Sequence, residues 1–531
     1  MARRKPKAAG RAETESTSGR GTLTVKFMRR ALACLLLLAG VVAAAPKKPK
    51  LVLAIVVDQF RYDYLTRYRS EYRGGFDRLL TQGAVFANAR YQQFPTVTAV
   101  GHSIFLSGAM PALSGIIANS WYDREEGMQV TSVSDAQTRL LGGLPGAGSS
   151  PRRMLVDTVG DELKIADNNQ SRVIGISLKD RAAILPAGHM ANAAYWFDSK
   201  TGNFVSSTYY FDDEPGWVKD VNTARPADRY AGKMWLGHQM PQPDKLYSAI
   251  EATPYGNELV EAFAERALAG ERLGQRGVTD LLAVSFSSND YVGHAYGPDS
   301  EEAHAISTAT DELLGRFFDA LDRTVGLKSV LVVLTADHGV APVPEVNTAR
   351  HMPGGRMPEG ILARTVQEAL SKKYGKFDWI TATLESTIYL NHELITVKKL
   401  DLAEVERTAA EALREVPHVF RVYTGVQLAS GQAMENTVGR MMMNGYFPRR
   451  GADLEVLTDP YWIHGATGTT HGLPFGYDTH VPVIFLGPGI RSGEYDANIA
   501  PNDIAPTLAT ILRVETPSGS TGRVLVEMFG E

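Results

Sequence analysis

Residues 51–58, LVLAIVVD, form a continuous apolar run that ends in an aspartate. An apolar run without polar alternation is typical of a strand that is buried on both faces of a parallel sheet. Two later stretches repeat this form: TDLLAVSFSSND (279–290) ends in an aspartate, and KSVLVVLTADH (328–338) ends in Asp-His. A fourth apolar run, at 479–489, lacks the acidic end.

Helical patterns separate these apolar runs. Residues 256–270 and 301–325 carry apolar side chains at helical spacing. Strands that alternate with helices predict an α/β fold around an open, mostly parallel sheet. Ligands bind such sheets beyond the carboxyl ends of the strands. We therefore expect Asp58, Asp290 and Asp337 to lie at one rim of the sheet.

The amino-terminal residues differ in composition from the rest of the chain. Residues 1–27 are rich in Arg, Lys, Gly, Ser and Thr, which predicts a disordered extension. Residues 28–45 combine a basic start, a short apolar run and a small-residue end, the pattern of a secretory signal peptide. Export to the periplasm or the medium is expected, with an uncleaved anchor as the alternative and Met28 as a possible start. The apolar run is too short to span a bilayer comfortably, so no stable membrane span is expected in the mature form. Cys34, the only cysteine, lies in this segment, which excludes cysteine catalysis, cysteine-bound metals and disulfides from the mature chain.

Residues 46–531 are expected to form one catalytic domain with two insertions. Aromatic and turn residues predict a loop-rich insertion at about 121–255, and a Pro- and Gly-rich start followed by two helical patterns predicts a cap at about 341–470. The 531 residues include 55 Lys and Arg and 59 Asp and Glu, a formal net charge of −4. This balance gives no general attraction to nucleic acid, and no nucleic acid binding is expected.

Histidines accompany two of the strand-end aspartates. His294 follows Asp290 by four residues, so both side chains would lie on one face of a helix. His338 follows Asp337 directly and precedes Gly339, which permits a sharp turn. Carboxylates and imidazoles are suitable ligands for Zn²⁺.

A third histidine completes this set of candidate ligands. His471 lies in GTTHGLP, late in the chain, and His464 in IHGATG is its rival. One zinc ion takes about four ligands, so three carboxylates, three imidazoles and one hydroxyl would supply two zinc ions with positions left open. Two-metal sites stabilise the attacking and the leaving oxygen of an in-line displacement at phosphorus.

The hydroxyl is expected from residues 95–102, PTVTAVGH. A threonine hydroxyl is a weak nucleophile that metal coordination activates. A helix that begins near Ala99 would direct its free N–H groups toward a phosphate. Thr96 and Thr98 both fit this role, and Thr98 is nearer to the start of the helix.

Several segments together resemble the alkaline phosphatase superfamily, most of all its threonine-nucleophile bacterial alkaline phosphatases, which are relatives of the nucleotide pyrophosphatase/phosphodiesterases. In the family's order they are VVDQFRYDYL, PTVTAVGHSIFLSGAMPALSGIIANSWYD, SLKDRAAILPAGH, NDYVGHAYGP, TADHG and GTTHGLPFGYDTHVPVIFLG. The resemblance implies a three-layer α/β sandwich with a mostly parallel central sheet and loop-rich and cap insertions, and it implies that Thr98 is the nucleophile. It implies two zinc sites, one formed by Asp58, Asp337, His338 and Thr98, the other by Asp290, His294 and His471. His471 is thereby favoured over His464.

Three further residues bear on the substrate. The resemblance places the amide of Asn119, in GIIANSWYD, on a phosphoryl oxygen. Lys179 and Arg181, in SLKDR, match the phosphate-binding Lys and Arg of the threonine-type monoesterases, which the diesterases lack. A monoester dianion has a third free oxygen for these cations, whereas a diester has esterified it. The expected substrates are small-molecule phosphate monoesters, with inorganic phosphate as product and inhibitor.

Two other functions remain open at this point. A phosphodiesterase or nucleotide pyrophosphatase would use the same scaffold, and a comparison of monoester with diester turnover separates it from a monoesterase. A non-catalytic, exported metal- or phosphate-binding protein would require at least one broken site residue. A sulfatase would need Cys or Ser in place of Thr98.

Overall fold

The apolar run at 51–58 forms a central strand in the computed structural model, which describes residues 48–530. The strands of three residues or more are β1 (Leu51–Val57), β2 (Ala84–Ala89), β3 (Ser120–Asp123), β4 (Met128–Thr131), β5 (Ser134–Leu141), β6 (Ala147–Ser149), β7 (Val173–Ser177), β8 (Ala193–Asp198), β9 (Asn203–Ser207), β10 (Asp280–Phe286), β11 (Val330–Thr335), β12 (Ile380–Leu384), β13 (Thr387–Leu390), β14 (Val419–Thr424), β15 (Leu454–Thr458), β16 (Val483–Leu486) and β17 (Gly493–Ile499). The α-helices are α1 (Tyr62–Arg67), α2 (Gly75–Gln82), α3 (Thr98–Ser107), α4 (Pro111–Ser114), α5 (Val159–Ala166), α6 (Asp180–Ala187), α7 (Gly216–Thr223), α8 (Pro243–Glu251), α9 (Pro254–Gly270), α10 (Ser288–Tyr296), α11 (Glu301–Thr324), α12 (Pro344–Ala349), α13 (Ile361–Tyr374), α14 (His392–Val397), α15 (Leu402–Arg414), α16 (Gly425–Ala429), α17 (Thr437–Gly445), α18 (Gly476–Thr479) and α19 (Ile504–Leu512).

Within the described residues, the central sheet has eleven strands in the order β17-β2-β16-β11-β1-β10-β7-β8-β9-β5-β6. Strands β11, β1, β10, β7 and β8 are parallel to one another. Strand β16, formed by the fourth apolar run, is antiparallel to both of its neighbours. The expected mostly parallel α/β sheet is confirmed.

Side chains of β1 alternate between two buried layers. Its odd-numbered residues pack with α2, α9 and α11 on one face of the sheet, and its even-numbered residues pack with α3 and α19 on the other. Burial on both faces explains why the sequence of β1 shows no polar alternation. The expected three-layer sandwich is therefore confirmed.

Strands β11, β1 and β10 end at the same level of the sheet. Val57 pairs with Phe286, and Val56 pairs with Thr335. The residues that follow these strands are Asp58, Asp337 and, in the first turn of α10, Asp290. The topology thus brings the three strand-end aspartates to one rim.

Residues 121–255 hold more regular structure than the expected loop-rich insertion. They contribute strands β5 to β9 to the central sheet and also contain helices α5 to α8. These strands are three to eight residues long, and β5 and β6 consist mainly of polar or small residues, so their periodicity is hard to see in the sequence. Helix α5 lies between β6 and β7, and helix α6 lies between β7 and β8.

The cap expected at 341–470 contains a sheet of its own. Strands β12, β13, β15 and β14 are adjacent in that order, and helices α13 and α15 pack against them. Their shared core includes the fully buried side chains of Trp379 and Val405. The cap therefore has a hydrophobic core distinct from the two layers of the central sheet.

The expected extension at 1–27 and the expected signal peptide at 28–45 lie outside the described residues and stay predictions. Among residues 48–530, every helix is too short or too polar to cross a membrane.

Candidate metal centre

Two groups of carboxylates and imidazoles meet at the rim of the sheet. In one, ligand atoms of Asp58, Asp337 and His338 lie within 4.8 Å of one another. In the other, ligand atoms of Asp290, His338 and His471 do so. His338 belongs to both groups, so the two groups are contiguous. The donors are oxygen and nitrogen atoms that suit Zn²⁺ and other divalent cations.

Two buried carboxylate oxygens in the first group lack a hydrogen-bond donor among the described residues. They are Oδ1 of Asp58 and Oδ2 of Asp337, and both side chains are essentially inaccessible to solvent. A buried carboxylate oxygen without a donor is costly unless a cation compensates it. This arrangement fits a metal ion.

The three candidate histidine ligands share one orientation. Nδ1 of His294 lies 2.8 Å from the carbonyl oxygen of Thr469, and Nδ1 of His471 lies 2.8 Å from that of Thr96. Nδ1 of His338 lies 3.0 Å from the carbonyl oxygen of the next residue. Because a carbonyl oxygen only accepts, each Nδ1 carries the proton and each Nε2 is left with a lone pair for a metal.

The histidines differ in their surroundings. His338 and His471 stack with ring centroids 3.5 Å apart, and burial lowers the pKa of both, which favours the neutral form that binds metals. His294 is more exposed, and its Nε2 lies 3.3 Å from Oδ1 of Asp290. Although burial lowers the pKa of His294, the carboxylate of Asp290 raises it overall. The predicted ligand His294 is a member of neither group, although it contacts Asp290. His464, the rival of His471, is likewise outside both groups.

The carboxyl groups of Asp58 and Asp290 differ in how strongly their surroundings favour the ionised form. Burial raises the pKa of Asp58, and the neighbouring carboxylate of Asp337 raises it further. Burial also raises the pKa of Asp290, but the nearby Lys179 and His294 lower it more and hold the pKa of that carboxyl well below its usual range. Asp290 is therefore firmly ionised, whereas the charge on Asp58 depends on a compensating cation.

The structure distinguishes between the two threonines of residues 95–102. Thr98 is the first residue of α3, is buried, and has its Oγ1 3.5 Å from Nε2 of His338. Thr96 instead donates its hydroxyl to the carbonyl oxygen of Leu473 at 3.0 Å. Of the two hydroxyls, that of Thr98 lies against the candidate ligands and at the amino-terminal end of a helix, where free N–H groups attract anions.

Asn119 reaches the same helix end. Its Oδ1 accepts a hydrogen bond from the backbone N–H of Ala99 at 2.8 Å. That contact fixes the amide, so its NH₂ group is the part that can face a ligand.

Lys179 lies between the two groups of candidate ligands. Its Nζ is 2.7 Å from Oδ2 of Asp58 and 2.6 Å from Oδ2 of Asp290. Arg181, on the first turn of α6, is only partly buried, and its Nε has no hydrogen-bond acceptor among the described residues. The nearest carboxylate to Arg181 is that of Asp180, at 3.8 Å. Lys179 thus contacts the candidate ligands, whereas Arg181 lies near enough to Lys179 to act on its pKa but contacts none of the ligands among the described residues.

The sequence interpretation missed two residues that contact the aspartates. Gln59 donates its backbone N–H to Asp337 at 3.0 Å and its side-chain Nε2 to Asp290 at 2.6 Å. His102, one turn after Thr98 on α3, has its Nδ1 3.2 Å from Oδ2 of Asp337. Each lies in a segment already quoted for another residue, but its partner is far away in the sequence.

Comparisons with known proteins identify the family of this chain. The family model described as "Type I phosphodiesterase / nucleotide pyrophosphatase" matches residues 52–469. Alkaline phosphatase PhoV of Synechococcus elongatus is 36% identical over 516 residues, which cover 91% of this chain and 93% of that protein. A protein of Myroides odoratus named calcium-transporting ATPase is 35% identical over 536 residues, 94% of this chain and 98% of that protein.

A solved structure is also similar. Alkaline phosphatase PafA of Elizabethkingia meningoseptica is 36% identical over 523 residues, 92% of this chain and 95% of that protein. A crystal structure of PafA aligns with a TM-score of 0.85 at 34% identity, covering 91% of this chain and 99% of that chain. The chain therefore belongs to the type I phosphodiesterase/nucleotide pyrophosphatase family, within the alkaline phosphatase superfamily.

Proposed function

We propose that this protein is a zinc-dependent alkaline phosphatase that hydrolyses phosphate monoesters through a phosphothreonine at Thr98. The observation that carries the proposal is the position of the Thr98 hydroxyl, at the start of α3 and 3.5 Å from His338. The names of the similar proteins PhoV and PafA support phosphatase activity.

Two zinc ions suit the donors at the rim. Asp58, Asp337 and His338, with Thr98, would hold one ion, and Asp290, His294 and His471 would hold the other. Two adjoining groups of candidate ligands, one with Asp58 and Asp337 and the other with Asp290 and His471, support a site for two ions rather than one. When bound, such ions lower the pKa of coordinated oxygens and stabilise charge on the attacking and leaving oxygens.

Thr98 and the groups around it bind the phosphoryl group and carry out the displacement at phosphorus. Thr98 Oγ1 gives up its proton to solvent and forms a bond to phosphorus while the bond from phosphorus to the ester oxygen breaks, and the leaving oxygen takes up a proton from water. The free N–H groups of α3 and the amide of Asn119 bind the phosphoryl oxygens. Water then cleaves the phosphothreonine, which releases inorganic phosphate and restores the Thr98 hydroxyl.

Lys179 and Arg181 favour monoesters over diesters in this proposal. A monoester dianion offers them a third unesterified oxygen and a second negative charge, which a diester lacks. The position of Lys179 Nζ between Asp58 and Asp290 supports this role. The alternative on the same scaffold is a phosphodiesterase or nucleotide pyrophosphatase, which the description of the matching family favours.

Removal of one hydroxyl tests the nucleophile. We expect Thr98→Ala to lower kcat for an aryl phosphate by at least about 10³-fold, as removal of covalent nucleophiles does. Thr96→Ala is the matched control, because it removes a hydroxyl two residues away that is bound to Leu473. Metal content is measured on each purified variant, and acid-quenched samples are digested to locate phosphothreonine by mass spectrometry. If Thr96→Ala lost the activity and Thr98→Ala kept it, the assignment of the nucleophile would be wrong.

The ratio of monoester to diester turnover tests the two cations. We expect the double variant Lys179→Ala, Arg181→Ala to lower kcat/KM for an aryl phosphate about tenfold or more relative to that for a bis-aryl phosphate, because charge-assisted hydrogen bonds to the monoester are lost. Lys200→Ala, at an exposed turn, is the control. A ratio that stays constant in the double variant while metal content is retained would contradict the monoesterase assignment of these residues.

A further inference from the structure

A cleft of about 590 Å³ separates the cap from the rim of the sheet and continues into the candidate metal centre. His471 lines the cleft and belongs to the candidate metal centre, and Asn119 lines the cleft and contacts Ala99 at the start of α3. Across from them lies the turn between β12 and β13, with Leu384, Glu385 and Ser386 at the cleft surface. A phosphate bound at the site therefore has this cleft as a neighbouring space for the group attached to it.

The walls of the cleft are mainly apolar and aromatic. Val97, Ile117 and Leu384 form apolar parts of the lining, and Tyr389 and Trp462 contribute aromatic rings. Such walls suit a ring-bearing group, because flat apolar surface packs well against rings.

The lining of the cleft, among the described residues, contains acidic side chains but neither Lys nor Arg. The acidic residues of this lining are Glu385 and Glu455. Burial raises the pKa of Glu455 to about 8, so Glu385 is the acid that carries the negative charge at neutral pH. Glu385 is exposed at the tip of the cap turn, and burial of part of its side chain raises the pKa of its carboxyl, although the nearby His294 acts to lower it. The cations Lys179 and Arg181 do not line the cleft. Negative charge on a group beside the cap turn would be repelled by Glu385, with no Lys or Arg among the described lining residues to offset it.

One residue that lines the cleft carries an unpartnered polar atom. Nε2 of His464 is buried and has no hydrogen-bond partner among the described residues. Burial lowers the pKa of His464, which favours the neutral ring. A neutral imidazole can exchange a hydrogen bond with a hydroxyl or carbonyl group of an uncharged ligand.

We propose that this cleft is the leaving-group subsite, and that it selects phosphate monoesters of uncharged, ring-bearing alcohols against monoesters whose leaving group carries a further negative charge. The inference rests on the proposed phosphatase function and adds the substrate class. Selectivity against an anionic leaving group arises from Glu385 on the cap, whereas the phosphoryl group is bound on the sheet side.

Three substrates and two variants test the subsite. Phenyl phosphate carries a neutral ring, 4-carboxyphenyl phosphate carries the same ring with a carboxylate, and methyl phosphate has a leaving group too small to reach the cap. Activity is measured as kcat/KM for wild type, Glu385→Gln and Glu385→Lys, with metal content checked for each. Glu368→Lys, at an exposed position of α13 that does not line the cleft, makes the same charge change as a control.

We expect Glu385→Lys to raise kcat/KM for 4-carboxyphenyl phosphate relative to phenyl phosphate about threefold to tenfold, the range expected for reversing one partly screened charge nearby. Glu385→Gln should raise the ratio less, and Glu368→Lys should leave it unchanged. Comparing ratios between variants cancels the different intrinsic reactivity of the two esters. Methyl phosphate should respond little to any of the variants.

Two outcomes overturn the inference in different ways. If the ratio moves no more in Glu385→Lys than in Glu368→Lys while phenyl phosphate is hydrolysed well, the cleft is not the leaving-group subsite. If the metal-loaded wild-type protein hydrolyses none of the three monoesters, the proposed function itself is wrong, and the inference is overturned with it.

Discussion

Residues 95–102 contain a glycine, Gly101, because a larger residue does not fit at that position. A Cβ atom placed on Gly101 would lie 2.3 Å from the carbonyl oxygen of Asp337 and 2.6 Å from its Cα. Contacts this short do not occur between real atoms, so only glycine lets α3 approach the end of β11 so closely. The approach brings Thr98, at the start of α3, beside the residues that follow β11.

The same contact gives a prediction about stability and metal binding. We expect Gly101→Ala to force α3 away from Asp337, to lower the free energy of unfolding by about 1–3 kcal/mol as overpacking does, and to weaken metal binding. Gly216→Ala, in α7, is the matched control because a Cβ there meets nothing within 4 Å. Denaturant unfolding and competition with a chelator measure the two effects. Equal behaviour of the two alanine variants would contradict this packing argument.

Strand β15 of the cap carries a buried acidic side chain, that of Glu455. Glu455 lies on this strand, lines the leaving-group cleft and is almost fully buried. Burial raises the pKa of Glu455 from 4.5 to about 8, and the neighbouring Asp453 also raises it. The folded protein therefore holds this carboxyl in its protonated form well above the pH at which the unfolded chain ionises it.

The raised pKa predicts the direction of a pH effect on stability. The contribution of Glu455 to stability is fully present below about pH 4.5 and is lost as the pH rises to about 8. We expect Glu455→Gln to have a higher melting temperature than wild type at pH 9, by the equivalent of roughly 2–4 kcal/mol, and no such advantage at pH 4.5. Glu411→Gln, at an exposed position of α15, is the control. Calorimetry at the two pH values measures the difference, and an advantage for Glu455→Gln that is larger at pH 4.5 than at pH 9 would contradict it.

The candidate metal centre takes its ligands from segments that are far apart in the sequence. Its candidate ligands follow β1, β10 and β11 and include His471 from late in the chain, so the two sites together connect segments more than 400 residues apart in the sequence. An ion that binds only the folded state stabilises it, by about 2.7 kcal/mol when its concentration is 100 times its Kd. Metal binding should therefore be visible in the stability of the entire fold.

Metal removal tests this link. We expect dialysis against a chelator to lower the melting temperature and added Zn²⁺ to restore it, because buried carboxylates repel one another without a cation. Asp58→Asn should lose most of the zinc-dependent shift. The shift is measured by calorimetry at fixed protein concentration, and a wild-type melting temperature that ignores both chelator and zinc would show that the rim does not hold a stabilising ion.

The position of three aspartates at one rim of the sheet could be predicted from the sequence. Asp58, Asp290 and Asp337 each follow an apolar strand, and parallel neighbouring strands expose their carboxyl ends at one rim. Gln59 could not be predicted in the same way, because its partners lie 231 and 278 residues away and depend on which strands become neighbours. The sheet strands within residues 121–255 were hard to predict because they are short and because β5 and β6 consist mainly of polar or small residues.

The central claim is that two zinc ions bind at the rim, with the Thr98 hydroxyl against one of them. Anomalous diffraction at the zinc edge, from crystals of the zinc-loaded protein, tests it most directly. The account predicts two anomalous peaks roughly 3.5–4 Å apart, one beside Asp58, Asp337, His338 and Thr98, the other beside Asp290, His294 and His471. Peaks bound by other side chains, or a pair of peaks with Thr98 Oγ1 beyond bonding distance of both, would contradict it.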